Sequence, residues 1–431
     1  MEPATYRKVM LRVVLPLAGL IVLSSIDRVN VGFAAITMNA DIGLDPRSYG
    51  LGVGLFFVGY LLFQLPSAAV LRRIGPKHWI AGSVIGWGTV ATAMALIQTP
   101  MHFYILRFLL GLFESGFAPG VVWYVSQWLP QTHRARAIGL TMLAIPTSVI
   151  IGGPLCGALL SIDAGDVQSW RIMFAVEGIA TVVAGIAAWF WFIDRPEQAR
   201  WLLTEEREGI ERLLLAEQRA AGQTDVVPMS KTIRDPILWL SAGLWFVLIT
   251  GANAIIFWLP IAIQTLGRSD PFEIGVLSAL PWVGIGAGMI LNARHSDRSG
   301  ERYLHLAVPT AFAAIALALA AFSIGNGPLA LGLLVLGGFG LGSAQSVFWT
   351  VPTRFIGAKN PTAIATINLF GNGSGAVVPV GIGWIVATTG SIVLPVYALA
   401  VLLIAGAVLV FPLRRVCEAR IAALQGQSSG S

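Results

Sequence analysis

Four ionisable side chains, Asp27, Arg28, Arg107 and Glu114, stand inside otherwise apolar runs of the chain. A charge at the centre of a bilayer costs roughly 2.5 to 3.5 kcal/mol on insertion scales, so such residues are rare and face a cavity or a partner. Arg107 and Glu114 are seven positions apart, which in a helix places them within about 20° of one face and about 10 Å apart along the axis. Asp27 and Arg28 are adjacent and point about 100° apart, so one can face a cavity while the other reaches a neighbouring helix. Two ion pairs tying helices together would be a poor stabilising device, because buried ions rarely outdo a well-packed apolar contact. The alternative chemistry is proton and anion exchange. Desolvation opposes ionisation of an acid and a nearby Arg favours it, so Asp27 and Glu114 are expected to take up and release protons near neutral pH. A protonated acid lets go of its arginine, and the planar guanidinium can then grip a carboxylate through two parallel hydrogen bonds. Bound proton and bound anion then favour each other, the condition for moving both in one direction.

These side chains must be positioned by membrane-crossing helices. Residues are 56% hydrophobic and only 12% charged, and the mean hydropathy is +0.76. Such a balance excludes a water-soluble enzyme, a disordered chain or a nucleic-acid binder. A helix needs about 18 to 20 apolar residues to cross a hydrocarbon core ~30 Å thick. Twelve runs qualify: Met10–Phe33, Gly50–Leu71, Trp79–Ile97, Phe103–Trp128, Ile138–Leu160 and Ile172–Ile193, then Ile237–Gln264, Ile274–Asn292, Leu304–Ile324, Leu329–Phe348, Thr362–Ala387 and Ile392–Leu413. The first follows Arg7, Lys8 and Arg12 as a signal peptide would, but it is too long, lacks a small-residue cleavage site and carries Asp27 and Arg28, so it is expected to be retained. Two cysteines, Cys156 and Cys417, give no disulfide framework.

With the N-terminus in the cytoplasm, 23 of the 28 Lys and Arg fall on the cytoplasmic side and three, Arg47, Arg171 and Arg268, on the other. The positive-inside rule therefore places both termini in the cytoplasm, and the charge excess of +6 needs no nucleic acid. The expected organisation is a bundle over 1–193, a cytoplasmic linker over 194–236, a second bundle over 237–413 and a cytoplasmic tail over 414–431, with Gln427–Ser431 disordered. In the linker, Thr204 is the expected N-cap of an amphipathic surface helix running to Ala221, with Glu205 and Glu206 on its positive end. The halves echo each other: Arg73 to Lys77 and Arg298 to Arg302 share R-x-G-x-[K/R] at an offset of 225, as do Pro154 and Pro379. A duplicated six-helix unit follows, with the site expected between the copies.

The second half has no Asp, Glu, Lys or Arg inside its spans. Its neutral polar groups Asn253, Gln345, Asn368 and Asn372 are expected to help read a substrate, unless they serve as helix-packing contacts. Tyr60, Trp123, Trp258 and Trp349 could line a cavity. Pro154, after Gly152 and Gly153, removes a helix hydrogen bond and could supply a bend for gating, in which Asp297 and Arg298 also take part. Glycine clusters at Gly284–Gly288 and Gly338–Gly342 follow no strand and are not dinucleotide loops. The five histidines show no ligand spacing. No metal and no cofactor are expected; protons are the coupling ion, the partners are a small organic anion and lipid, and the protein is expected to act as a monomer.

Ile26-Asp27-Arg28-Val29-Asn30-Val31-Gly32-Phe33, Arg107-Phe108-Leu109-Leu110-Gly111 through Glu114, Gly116 and Pro119-Gly120, the stretch Asp194–Leu202 and the loop Arg294–Arg302 together resemble the major facilitator superfamily, and within it the anion:cation symporters of organic anions. The likeness covers nearly the whole chain. It implies an all-α fold of twelve transmembrane helices in two pseudo-symmetric bundles in a bacterial cytoplasmic membrane. It also implies proton-driven uptake of carboxylates such as sugar acids, tartrate, phthalate or hydroxyphenylacetate. It assigns coupling to the acids Asp27 and Glu114 and anion binding to Arg28 and Arg107. Departures fall at Gln64, where relatives often have Glu, at Gly82, where they often have Arg, and at Ser24-Ser25, where an aromatic is common. A proton-driven exporter of amphipathic compounds would share the fold, but two intramembrane arginines suit a cation poorly. A membrane enzyme would need a catalytic cluster near an interface, and the sequence offers none.

Overall fold

The computed structural model describes residues 1–221, 232–265, 267–357 and 360–428. Parts of the expected linker and tail, 222–231 and 429–431, lie outside the described residues. Helix α1 (Pro3–Val9) runs through one wide π turn (Met10–Val14) into α2 (Leu15–Asp41). Then come α3 (Pro46–Ile74), α4 (Pro76–Met94), α5 (Pro100–Glu114), α6 (Phe117–Trp128), α7 (Gln131–Leu160), α8 (Ser169–Trp191) and α9 (Thr204–Ala221). The second series is α10 (Pro236–Thr265), α11 (Pro271–Ser299), α12 (Leu304–Phe322), α13 (Gly327–Phe348), α14 (Pro361–Thr389) and α15 (Val393–Ser428). Many begin on proline, whose missing N–H costs nothing in a first turn. The side chains of Thr99, Asp270, Asn326 and Asn360 cap the N-termini of α5, α11, α13 and α14.

Among the described residues, eleven helical stretches are long and apolar enough to cross a membrane, with α5 and α6 counted as one. The expected twelfth, over Trp79–Ile97, is the 19-residue α4. It falls short on hydropathy because it starts with Lys77 and His78 and carries glycines and hydroxyls along its packed faces. Span one is longer than Met10–Phe33, spanning Pro3–Asp41, and α15 continues well past Leu413. Leu65, Phe190 and Phe322 each expose more than 80% of their surface, a heavy penalty in water and none against lipid.

Contacts divide the chain into two compact units, one of Met1–Leu44 and Leu55–Thr224, the other of Asp45–Gly54 and Asp225–Ser431. In the first, α4 packs on α8, α2 on α7 and α8, and α5 and α6 on α4. Glycine permits these approaches: a Cβ added at Gly111 would lie 1.9 Å from the Phe56 carbonyl oxygen, and one at Gly178 would lie 2.4 Å from the Thr92 nitrogen. Gly111→Ala is therefore expected to push α3 from α5 and to cost about 1 to 3 kcal/mol as an overpacked contact, read as a lower unfolding temperature in detergent. An unchanged temperature would mean that the two backbones do not meet there. In the second unit α11 packs on α13, α12 on α13 and α15, and α10 on α14 and α15. Trp245 stacks on Phe348 at 4.6 Å between ring centroids, amid Leu248, Val347 and Ile367.

The two loops of the repeated motif use the same backbone device. Gly75 and Gly300 both have positive φ, 84° and 68°, which glycine adopts without strain. Helix α9 begins at Thr204, but the side chain that reaches back to cap it is that of Glu206, whose Oε2 accepts from the Leu203 N–H at 2.9 Å. Glu206 also accepts from Lys8 Nζ at 2.8 Å and from Thr5, and the Lys8 bond is the main reason its carboxyl sits below the usual range. Arg134 and Glu217 pair at 3.1 Å, so α9 is latched to α1 and to the start of α7.

Candidate functional site

Helix α5 stops on Glu114, and the chain re-enters a helix at Phe117 after a break at Ser115 and Gly116. The Gly116 carbonyl, which accepts the Gly120 N–H of α6 at 3.0 Å, also accepts a 2.9 Å hydrogen bond from the Trp79 indole of α4. Span four is thus two helices with the acid at their junction. From α2, Arg28 Nε donates to Glu114 Oε2 at 2.7 Å, and Ser24, one turn earlier, donates its hydroxyl to the same oxygen at 3.3 Å. Ser24, one of the sequence's departures from its apparent relatives, thereby supplies a ligand to the acid. The Glu114 side chain is fully buried while that of Arg28 is 32% exposed, so the pair joins a buried acid to a base that reaches solvent. Aromatic rings of α3 frame the bases: the Arg28 Cζ lies 5.3 Å from the Tyr60 ring centre and 5.5 Å from that of Phe56. Arg107 Cζ lies 4.8 Å from the centre of Phe56, in cation–π range.

The four charges do not meet in one solvent-open chamber. Asp27 and Arg107 are each 1% exposed, and Asp27 points away from the Arg28–Glu114 pair. Its Oδ2 accepts from the Trp87 indole of α4 at 3.0 Å and from Thr181 of α8 at 3.3 Å. The cause is the 100° turn between neighbours on α2, which sends Arg28 to α5 and Asp27 to α4 and α8.

A fifth charge was not foreseen. Glu177 of α8 is 6% exposed and accepts from Asn30 Nδ2 at 2.8 Å and from the Cys156 thiol at 3.3 Å. The rule that singled out the other four, an ionisable residue within an apolar span, picks it out as well, since it lies inside Ile172–Ile193.

The other candidate residues are dispersed. In the second unit Asn253 donates to Ser374 across α10 and α14 at 3.2 Å, and Gln345 of α13 donates to the Leu248 carbonyl of α10 at 3.2 Å, so both amides serve helix packing. Asn368 is exposed and Asn372 half-buried on α14. Trp258 lines an apolar cavity of ≈ 100 Å³ with Leu317, Leu334 and Leu399, which carries no charge to meet an anion. Trp123 is half-buried on α6, and Trp349 stands edge-on to Trp245 at 5.0 Å. Helix α7 runs on through Pro154, and Gly152 lies against Ile26, next to Asp27. Asp297 pairs with Arg302 at 2.8 Å rather than with Arg298, which is exposed in the last turn of α11. Nearby, partial burial pushes the Glu301 carboxyl up but is outweighed by hydrogen bonds from the Leu304 N–H and from His305, which hold it below the usual range. Gln64 is half-buried, and a Cβ at Gly82 would meet open space, so packing does not demand glycine there.

Comparison with known proteins agrees with this architecture. Residues 17–379 match the model of the Major Facilitator Superfamily. A putative tartrate transporter of Agrobacterium vitis is 38% identical over 96% of this chain and 92% of its own length. The quinolone resistance transporter of Acinetobacter baumannii is 35% identical over 95% of each chain, and the inner membrane transport protein RhmT of Escherichia coli is 34% identical over 88% and 87%. Among solved structures, a bacterial homologue of the lysosomal transporter Spinster, inward-facing and occupied, superposes with a TM-score of 0.75 at 17% identity, covering 96% of this chain and 98% of that one. The D-xylose–proton symporter gives 0.73 at 14% identity, covering 93% and 97%. The chain belongs to the major facilitator superfamily: it is a multi-pass membrane transporter with that fold, and not an enzyme.

Proposed function

We propose that this transporter carries an organic carboxylate into the cell together with protons, by alternating access, from the bacterial cytoplasmic membrane with both termini in the cytoplasm. The observation that supports this best is the 2.7 Å pair of Arg28 with the buried Glu114. An arginine whose side chain is one-third exposed and whose guanidinium is tethered by a protonatable acid is a switchable anion site: protonation of Glu114 frees the Arg28 fork for a substrate carboxylate. Tyr60 and Phe56 give that carboxylate a dry, aromatic-walled approach. The names of the relatives from Agrobacterium vitis point to tartrate as the first acid to try.

A second direction of transport has one observation in its favour, the similarity to the quinolone resistance transporter. A quinolone also bears a carboxylate, so the same arginine could hold it during proton-driven export. The test for both is thermal unfolding of the purified protein against tartrate, malate, phthalate, 4-hydroxyphenylacetate, a sugar acid and a quinolone. A ligand at 100 times its Kd adds about 2.7 kcal/mol of stability. Stabilisation by one or more of the small acids, absent with their amides, is the expected result. Stabilisation by the quinolone alone would favour export, and stabilisation by none of these compounds would overturn anion binding.

A further inference from the structure

Behind the Arg28–Glu114 pair, α2 and α8 are joined by two rungs. Asp27 of α2 meets Thr181 of α8, and Asn30 of α2 meets Glu177 of α8. Positions 27 and 30 lie on one face of α2, and 177 and 181 on one face of α8, so each rung is about one helical turn from the other. Two carboxyl groups therefore sit one turn apart in the core of the first unit. Among the described residues neither makes an ion pair. The titratable and charged groups facing Glu177 are Asp27 from α2 and Cys156 from α7, while α4 contributes the neutral Trp87.

Two oxygens on this face lack a hydrogen-bond donor: Asp27 Oδ1 and Asn30 Oδ1, both in residues 1% exposed. A buried acceptor with no donor carries a desolvation cost, which a proton bound at Asp27 Oδ1 removes for that oxygen. Two ionised carboxylates one turn apart, neither with an ion-pair partner among the described residues, repel each other, and one shared proton relieves that repulsion. Asn30 and Cys156 donate to Glu177, and Trp87 and Thr181 both donate to Asp27 Oδ2, which leaves Asp27 Oδ1 as the oxygen open to a proton. What the pair lacks is a single hydrogen.

We propose that Asp27 and Glu177 form one proton-holding pair, with Glu177 the second carboxyl of the coupling machinery and Asn30 the group that positions it. This rests on the proton-coupled transport proposed above, and it adds a residue and a bookkeeping rule: the Asp27–Glu177 pair keeps one proton while Glu114 exchanges its own. The arrangement also explains why Asp27 need not face the substrate. Its task is to pass or retain a proton along α2, one residue from the arginine that the substrate would occupy.

The test needs no substrate. The protein in lipid nanodiscs is titrated between pH 5 and pH 9 and followed by infrared difference spectroscopy in the C=O stretch of protonated carboxyl groups. In the wild type a carboxylic acid band should change with pH. Glu177→Gln, which keeps an acceptor for Asn30, should remove one such band, and Asp27→Asn should move the midpoint of the remaining Glu177 band by about one pH unit, as coupled acids require. Glu206→Gln, at the surface, should change neither. If Glu177→Gln does not fold, the Asp27→Asn titration alone decides, since an unmoved midpoint means no shared proton. A spectrum in which Glu177→Gln leaves every band in place would overturn the pair. A pair confirmed here while Glu114→Gln leaves gradient-driven uptake intact would instead remove the transport mechanism and keep the site.

Discussion

Proteoliposomes carrying Glu114→Gln should fail to accumulate a carboxylate when the outside is made acid, with initial gradient-driven uptake falling more than tenfold, yet should still exchange labelled for unlabelled substrate. Glutamine matches the acid in size and leaves a carbonyl oxygen for Arg28 Nε and for the Ser24 hydroxyl, which now bond to Glu114 Oε2 at 2.7 and 3.3 Å. It cannot take or release a proton. The guanidinium is then permanently available, so binding and exchange survive while coupling to the gradient does not. The effect belongs to k for the proton-dependent step and not to affinity. Gradient-driven uptake at the wild-type rate would exclude Glu114 as the proton carrier.

Arg28→Gln should produce the opposite pattern, with carboxylate binding lost whatever the pH. A hydrogen bond to a charged group contributes about 1.5 to 3 kcal/mol, so losing the fork should weaken binding roughly 10- to 150-fold, measured by calorimetry or by the ligand-dependent melting shift. The substitution also strands the buried Glu114, and removal of one partner of a buried pair is itself destabilising by about 3 to 5 kcal/mol. The double variant Arg28→Gln/Glu114→Gln separates the two effects: stability should return while binding stays lost. Binding regained in the double variant would show that Arg28 does not hold the anion. Arg107, 1% exposed and packed on Phe56, is expected to matter through the field it adds to Glu114 more than through direct contact.

Much of this was readable from the chain. Long apolar runs must be helices in lipid, because a backbone without water satisfies itself only that way, and the positions of Asp27, Arg28, Arg107 and Glu114 within such runs marked them. The adjacency of Asp27 and Arg28 even fixed that they would diverge. What the sequence did not give was which neighbour each would meet. That depends on which face of α4 and α8 turns inward, and it was decided by close glycine contacts such as Gly88 with Val182 and Gly178 with Thr92. Glu177, inside the run Ile172–Ile193, obeyed the same rule as the other four and was overlooked. The amides of the second unit were ambiguous for a different reason: Asn253 in a sequence looks the same whether it bonds Ser374 or a substrate. The low hydropathy of α4 reflects its use of small and hydroxyl residues for packing, so a count by apolarity alone undercounts such a helix.

The buried charges of the first unit also set how the membrane voltage acts on it. Three acids, Asp27, Glu114 and Glu177, stand against two arginines, Arg28 and Arg107, leaving one negative charge over when all are ionised. One retained hydrogen ion cancels it. An electroneutral core can then change its orientation without moving charge through the field, where each charge is worth about 2.3 kcal/mol per 100 mV. In that case the resting potential neither helps nor hinders the return of the empty carrier, and its pull is felt only in the half of the cycle that carries cargo.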